Sequence, residues 1–255
     1  MGDRRSASPT AEQGATDRGL LRGLVRFAVF AALLGVIVLA GAAYGPALVA
    51  DLEQFDDVDE IEVGTQPSPS SEPPPTGERD PETTDPNDPN ESSYETDVET
   101  IASDDVEDFV HAEVNDRRAE HDLEAIDWDG TVASVSRAHS GDMAEREYFS
   151  HTNPDGEQPY DRFSDVEDYC QGYGENIAMT WVDRPVEQSG GDGTVEHRTA
   201  EGLAEGLVNQ WMNSTDHREA ILEENVPYGW DRGGVGVYVA DDGQVFATHN
   251  FCHEW

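Results

Sequence analysis

Lysine is absent from this 255-residue chain: all fifteen basic residues are arginine, set against 55 Asp and Glu, for a formal net charge of −40. So acidic a chain repels phosphate backbones, which argues against nucleic acid as a partner. Cysteine is almost absent too, Cys170 and Cys252 being the only two. The compact His-Glu-x-x-His helix of a metalloprotease is missing, so any metal ligands have to converge from separate segments.

The charge is uneven. Five arginines against three acids leave residues 1–50 at +2 and the rest of the chain at −42. Two readings account for this acidity: an interaction surface, or adaptation to molar salt, where screening relieves self-repulsion and hydrated carboxylates preserve solubility. The excess spreads over linker and folded region alike, which favours the halophilic reading. It informs on habitat rather than chemistry.

Residues 1–26 are polar, with Arg18, Arg22 and Arg26 on one helical side. From Phe27 to Ala50 no charge interrupts a run of mainly Ala, Leu, Val, Gly and Phe, long enough to cross roughly 30 Å of hydrocarbon. Arginines precede this run and Asp51 follows it, so the positive-inside rule puts the N-terminus in the cytoplasm and the remainder outside the cell. Ala40-Gly41-Ala42 offers a signal-cleavage site instead. The apolar run continues past that site, so residues 27–50 are read as an uncleaved single-pass anchor, with secretion after cleavage as the alternative. Residues 51–100 carry prolines at 67, 69, 73, 74, 75, 81, 86 and 89 among Ser, Thr, Asp and Glu. Such a segment forms no core of its own and is expected to be a disordered acidic stalk.

The folded domain is expected over residues 101–255. Ser103 with Asp104 and Asp105 marks a helix start, and Val106, Phe109, Val110 and Val114 mark its apolar face. Asp129 can cap a second helix carrying Val132, Val135, His139 and Met143. Pro159–Phe163 reads as a helical turn, Tyr169–Thr180 as extended, and 183–198 as an exposed loop. Leu203, Leu207, Val208 and Trp211 define another helix, and Ser214 or Thr215 caps the next one through Ile221 and Leu222. Gly234–Val239, Asp241-Asp242-Gly243 and Val245–Phe251 form a β-hairpin pattern. The fold class is therefore α+β, a layered sandwich.

The stretch from His139 to Tyr160 carries the most chemistry. It runs off a helix into Tyr148–Phe149 and stops on the Asn153-Pro154-Asp155-Gly156 turn, leaving His151 where it can face a cleft. Glu175 and His217 are its candidate partners. Two imidazoles, one carboxylate and an open position suit zinc or another divalent transition metal better than calcium or magnesium. Spacing alone favours a plainer reading, in which both histidines hydrogen-bond at helix ends and Glu175 satisfies buried donors. A Ser140–His139–Asp142 nucleophile is weaker, because residues one and two apart on a helix do not face each other. Cys170 and Cys252 are expected to be bonded in an exported chain, two free buried thiols being the alternative. His249 and His253 are read as surface or strand positions and are given no role.

Several of these pieces resemble one family. In order they are Trp128-Asp129, Ala138-His139-Ser140 with Asp142-Met143, Tyr148-Phe149-Ser150-His151 and Asn153-Pro154-Asp155-Gly156. Gly174-Glu175-Asn176-Ile177-Ala178, Trp211-Met212-Asn213-Ser214, His217-Arg218 with Ile221-Leu222, and Gly234-Val235-Gly236-Val237 follow. Residues 103–251 are thereby similar to the CAP superfamily (SCP domain) of cysteine-rich secretory, antigen 5 and pathogenesis-related proteins, most closely its prokaryotic branch. The resemblance implies an α-β-α sandwich with a central cleft bearing two histidines and two acids. Three of those positions fall on His151, Glu175 and His217. The fourth falls on Ser214, a poor zinc ligand better suited to capping a helix. The resemblance also implies a small-molecule, lipid or sterol ligand, or a divalent metal, in the cleft. A metal-assisted hydrolase using Glu175 as base, or a structural surface protein, are the rival expectations.

Overall fold

The computed structural model describes residues 68–77, 79–166, 170–224 and 226–255. The anchor expected at 27–50 and the first part of the expected stalk lie outside the described residues. Among those described, no helix is long and apolar enough to cross a membrane.

In chain order a small hairpin, β1 (Ser93–Glu95) and β2 (Thr100–Ala102), leads into α1 (Ser103–Ala119). Asp104 and Asp105 in its first turn and Arg117 and Arg118 in its last complement the helix dipole. Then come β3 (Asp127–Trp128) and α2 (Gly130–Glu145), whose cap is Asp129, accepting from the Val132 amide at 3.0 Å. The short α3 (Pro159–Arg162) continues into a 3₁₀ turn, Phe163–Val166, and β4 spans Gly172–Trp181. Residues 183–198, expected as a plain loop, instead hold a largely exposed hairpin of β5 (Pro185–Glu187) and β6 (Thr194–Glu196). Next are α4 (Ala200–Asn213), α5 (Thr215–Ile221), β7 (Arg232–Val239) and β8 (Gln244–His253). Ser214 occupies the N-cap position of α5, yet its hydroxyl makes no capping bond, which corrects that expectation.

The main sheet has the order β3-β7-β8-β4. β3 runs parallel to β7, whereas β8 pairs antiparallel with both β7 and β4. Its two faces are built differently. Val235, Val237, Val245, Ala247 and Phe251 share one core with Phe109 and Val110 of α1 and Leu203, Leu207 and Trp211 of α4. On the other face α2 lies almost on the backbone of β7. A Cβ on Gly234 would fall 2.1 Å from the Ala133 nitrogen, and one on Gly236 would fall 2.0 Å from the Arg137 nitrogen. Hydroxyls fill this contact: Ser136 donates to the Gly234 carbonyl at 2.8 Å, and Ser140 lies 2.8 Å from the Gly236 carbonyl. The layers are thus α-β-α, as expected. Of the two positions open to His249, the structure shows the strand one: it lies in β8, fully buried beside Trp211 and Phe251. Burial pushes its pKa well below the ordinary 6.5.

Cys170 and Cys252 are disulfide-bonded, tying the segment before β4 to the last strand. Closing so long a loop removes unfolded-state entropy worth about 4 kcal/mol.

The expectation of a disordered stalk as far as residue 100 is corrected from Ser68 onward. Residues 79–89 form a strap along the outer side of α2. Thr83 and Asp85 donate their amides to Thr131 Oγ1 and Ser134 Oγ at 3.2 and 2.7 Å. Arg137 grips Asp88 at 2.9 and 3.0 Å, and Pro89 packs over Gly141. Arg79 pairs with Glu107 at 2.7 Å and with Asp108, and its guanidinium sits 5.0 Å from the Trp128 ring. A Cβ on Gly130 would fall 2.6 Å from the Arg79 carbonyl, so the strap crosses the start of α2 at backbone distance. Prolines suit this role. They keep the segment extended and carry no N–H needing a partner, while small polar residues on α2 satisfy the few amides that remain. With the sheet below and the strap above, α2 is buried on nearly every side.

Two outcomes are expected. Gly236→Ala has to push α2 off the sheet and should lower unfolding free energy by about 3 kcal/mol or more in urea titrations. Burial raises Glu107 from its ordinary 4.5 to about 7 despite Arg137 and Arg79 beside it. The native state then holds more protons than the unfolded chain between about pH 4.5 and 7, so this group's contribution to stability falls as pH rises through that window. Glu107→Gln should remove that slope from stability measured against pH.

Candidate functional site

The site assembles at the outer edge of the sheet, on β4. Strand alternation puts Glu175 and Ile177 on the α2 side, opposite Asn250 and Thr248 of β8. α2 delivers His139 to the same place. Beyond its end, Glu147 takes a left-handed φ of 55° and turns the chain so that the Tyr148 hydroxyl donates to Asp142 at 2.5 Å. Tyr148 anchors the loop, whereas Phe149 is 47% exposed. Asn153 Oδ1 then accepts from the amides of Asp155 and Glu157 at 3.0 and 2.9 Å, closing the turn that leads to α3.

His151 is held above Glu175, its Nδ1 donating to Oε1 at 2.8 Å. A carboxylate only accepts, so in the neutral ring the proton lies on Nδ1 and Nε2 carries the free lone pair. Glu175 is 2% exposed and His151 44% exposed, so the carboxylate is sealed and the imidazole is open. The other oxygen, Oε2, is taken by Arg162, which also donates from Nη1 to the His151 carbonyl at 3.0 Å. His139 is buried with its Nε2 4.0 Å from Glu175. Desolvation alone would raise the Glu175 pKa, but the His151 hydrogen bond and the Arg162 charge outweigh it and hold the carboxyl below its ordinary 4.5.

His217 comes from α5 on the other side of β4. Its ring centroid is 6.3 Å from that of His151, and its backbone carbonyl accepts from Asn176 Nδ2 at 3.0 Å. Partial burial, then the neighbouring His151, lower its pKa. Among the described residues its Nδ1 has no hydrogen-bond partner. The structure therefore joins His151 to Glu175 directly, sets His217 across a gap from His151, and places Ser214 at the head of α5.

Of the expected set His151, Glu175 and His217, the first two meet directly and the third stands across the gap. Both Glu175 oxygens are occupied, and among the described residues no group of three or more His, Cys, Asp or Glu is arranged to hold a metal. What remains is a pair of imidazoles, one with a carboxylate behind it. That is the relation commonly found around histidine-bound zinc, and it fits two positions of such a shell. A cavity of about 720 Å³, lined by Asp85, His139, Asp142 and Arg162 among others, lies between the strap, α2 and the 153–165 segment. His151, Glu175 and His217 do not line it.

Arg162 and His139 were not anticipated as parts of the site. Arg162 left only a faint signal, a cation between Tyr160 and Phe163 in a chain with 55 acids, which does not name its partner.

The model of the cysteine-rich secretory protein (CAP) family matches residues 111–252, and the chain belongs to that family. It is 31% identical over 138 residues to the uncharacterized membrane protein YlbC of Bacillus subtilis, covering 54% of this chain and 32% of YlbC. It is 27% identical over 132 residues to the uncharacterized protein YkwD of the same species, covering 52% and 41%. The matched part thus spans less than half the length of either relative. A crystal structure of an extracellular SCP-domain protein from Bacillus anthracis superposes with TM-score 0.45 and 30% identity, over 60% of this chain and 41% of that one. An outer surface protein of Borrelia burgdorferi gives 0.47 and 17%, over 65% and 99%. The strap precedes the residues matched by the family model.

Burial lowers the pKa of His139 to about 4, below its ordinary 6.5. Between those values the unfolded chain binds the extra proton, so native stability is lost as pH falls through the window. His139→Gln should move the acid-unfolding midpoint to lower pH, read by circular dichroism.

Proposed function

We propose that this chain is an exported CAP module, tethered through residues 27–50, which binds its ligand at the imidazole pair His151 and His217. One observation carries the reading. His151 is open to solvent, yet its orientation is fixed from behind by a sealed carboxylate, Glu175. A surface histidine without a task needs no buried carboxylate to aim it, since burying that charge costs free energy. The ligand classes that suit such a pair are a divalent transition metal, zinc foremost, and a small molecule or lipid whose polar head meets the imidazoles. In the metal case His151 and His217 are ligands, Glu175 orients His151, and the remaining positions fall to water or to the ligand's own atoms. Adaptation to high salt belongs to the same proposal, through the acidity and the absence of lysine.

A second reading has a specific observation behind it. The His151–Glu175 hydrogen bond is the arrangement by which a carboxylate holds a histidine base in the required tautomer. In this hydrolase reading the His151 Nε2 takes the proton of an attacking water, and Glu175 stabilises the resulting imidazolium. The role of base passes from Glu175, first assigned it, to His151.

Zinc binding to the full chain in detergent at molar salt, followed by calorimetry, separates these readings. Saturable binding is expected, abolished in His151→Ala and in His217→Ala. No saturable binding overturns the metal form; lipid found by mass spectrometry after extraction would then identify the other ligand class. Ester turnover lost in His151→Ala would establish the hydrolase.

A further inference from the structure

Glu175 is buried, charged and bonded to an exposed histidine, so something has to hold its charge in place. Arg162 is the side chain that does so from inside. It is 7% exposed and reaches two targets at once, the Glu175 Oε2 and the backbone carbonyl of His151. His151 in turn donates from Nδ1 to the Glu175 Oε1. The contacts close a ring: guanidinium to carboxylate, carboxylate to imidazole, imidazole through its own backbone to guanidinium. We infer that Arg162 is the positioning residue of the site, fixing the carboxylate and the main chain of His151 together so that the imidazole offers Nε2 to whatever binds.

Geometry favours this role over plain structural support. A guanidinium is planar and presents parallel N–H bonds from its two terminal nitrogens, so it can hold two acceptors in a fixed relation. The acceptors here are the two parts that decide where the ring sits: the atom it leans on and the backbone it hangs from. A lysine reaches either one but presents no rigid fork. The placement of Arg162 is itself determined. The Asn153–Gly156 turn and the Gln158–Asp161 capping box start α3, and Phe163, fully buried in the following turn, locks its end. Neither Tyr148 nor His139 substitutes for the clamp. The Tyr148 hydroxyl is committed to Asp142, and the His139 Nε2 stands 4.0 Å from the carboxylate.

This inference rests on the proposed imidazole-pair site, and its test uses a signal that needs no ligand. Full chain in detergent, labelled with ¹⁵N at histidine ring nitrogens, should show His151 as the Nδ1–H tautomer with a slowly exchanging Nδ1 proton. Arg162→Met and Glu175→Gln should each abolish that slow exchange and return His151 to a mixture of tautomers. Arg162→Lys should give an intermediate result. A zinc titration of the same samples should show the affinity weakened by about 10- to 100-fold in Arg162→Met, the usual effect of removing a group behind a metal-binding histidine. An unchanged His151 signal in folded Arg162→Met overturns the inference, whatever zinc does. Should Arg162→Met not fold, Arg162→Lys decides by the same signal, an unchanged tautomer and exchange rate again counting against it. If zinc fails to bind the wild-type chain while the His151 signal responds to Arg162, the metal form of the proposed function fails and the positioning role stands.

Discussion

The close approach of α2 to β7 is the constraint on which the rest of this domain depends. Gly234 and Gly236 have no Cβ because the backbone of α2 occupies that space, and Ser136 and Ser140 bind the carbonyls of the same glycines. A helix set this close cannot carry large side chains on its inner face, so α2 is rich in Ala, Ser and Gly, with little apolar stripe to recognise. Its position then fixes His139, the exit toward Tyr148 and the height at which His151 meets β4. The valines on the reverse side of β7 complete the other half of the core, so a single strand sets both layers.

Charge inside the domain follows a second logic. A chain with so few cations places them individually. Arg118 is buried between the carbonyls of Glu124 and Ile221 and the carboxylate of Glu223. Arg137 joins Glu107 to Asp88 of the strap, and Arg162 sits under Glu175. Buried Glu107, Asp129 and Glu175 each have an arginine beside them, which offsets the cost of burying a carboxylate. The planar guanidinium, which can bridge two acceptors, suits this better than an ammonium point charge.

Much of this was legible beforehand, for identifiable reasons. α1, α4 and the β7–β8 hairpin announce themselves through periodicity and turn residues, which depend on local sequence. The pairing of Cys170 with Cys252 follows from there being only two cysteines in a chain read as exported. His151 and Glu175 were singled out by the turn after His151 and by the family resemblance, and the structure places them 2.8 Å apart. The strap was not legible, because its prolines and acids describe a segment unable to build a core, and nothing in them shows that it borrows partners from another helix. Thr131, Ser134 and Gly141 supply those partners, and on sequence they read as neutral helix residues. The occupation of both Glu175 oxygens was equally hidden, since Arg162 enters only through a three-dimensional turn.

The strap also bears on how the chain comes together in time. A polypeptide is made from its N-terminus, so residues 79–89 leave the ribosome well before the helix they will lie along. That helix has no sheet to rest on until β7 has been made, and β7, paired with only the two residues of β3 before then, gains its long antiparallel neighbour with β8, which ends at His253. The earliest of these pieces to be synthesised is therefore among the last able to settle, and it seals α2 once everything beneath is in place.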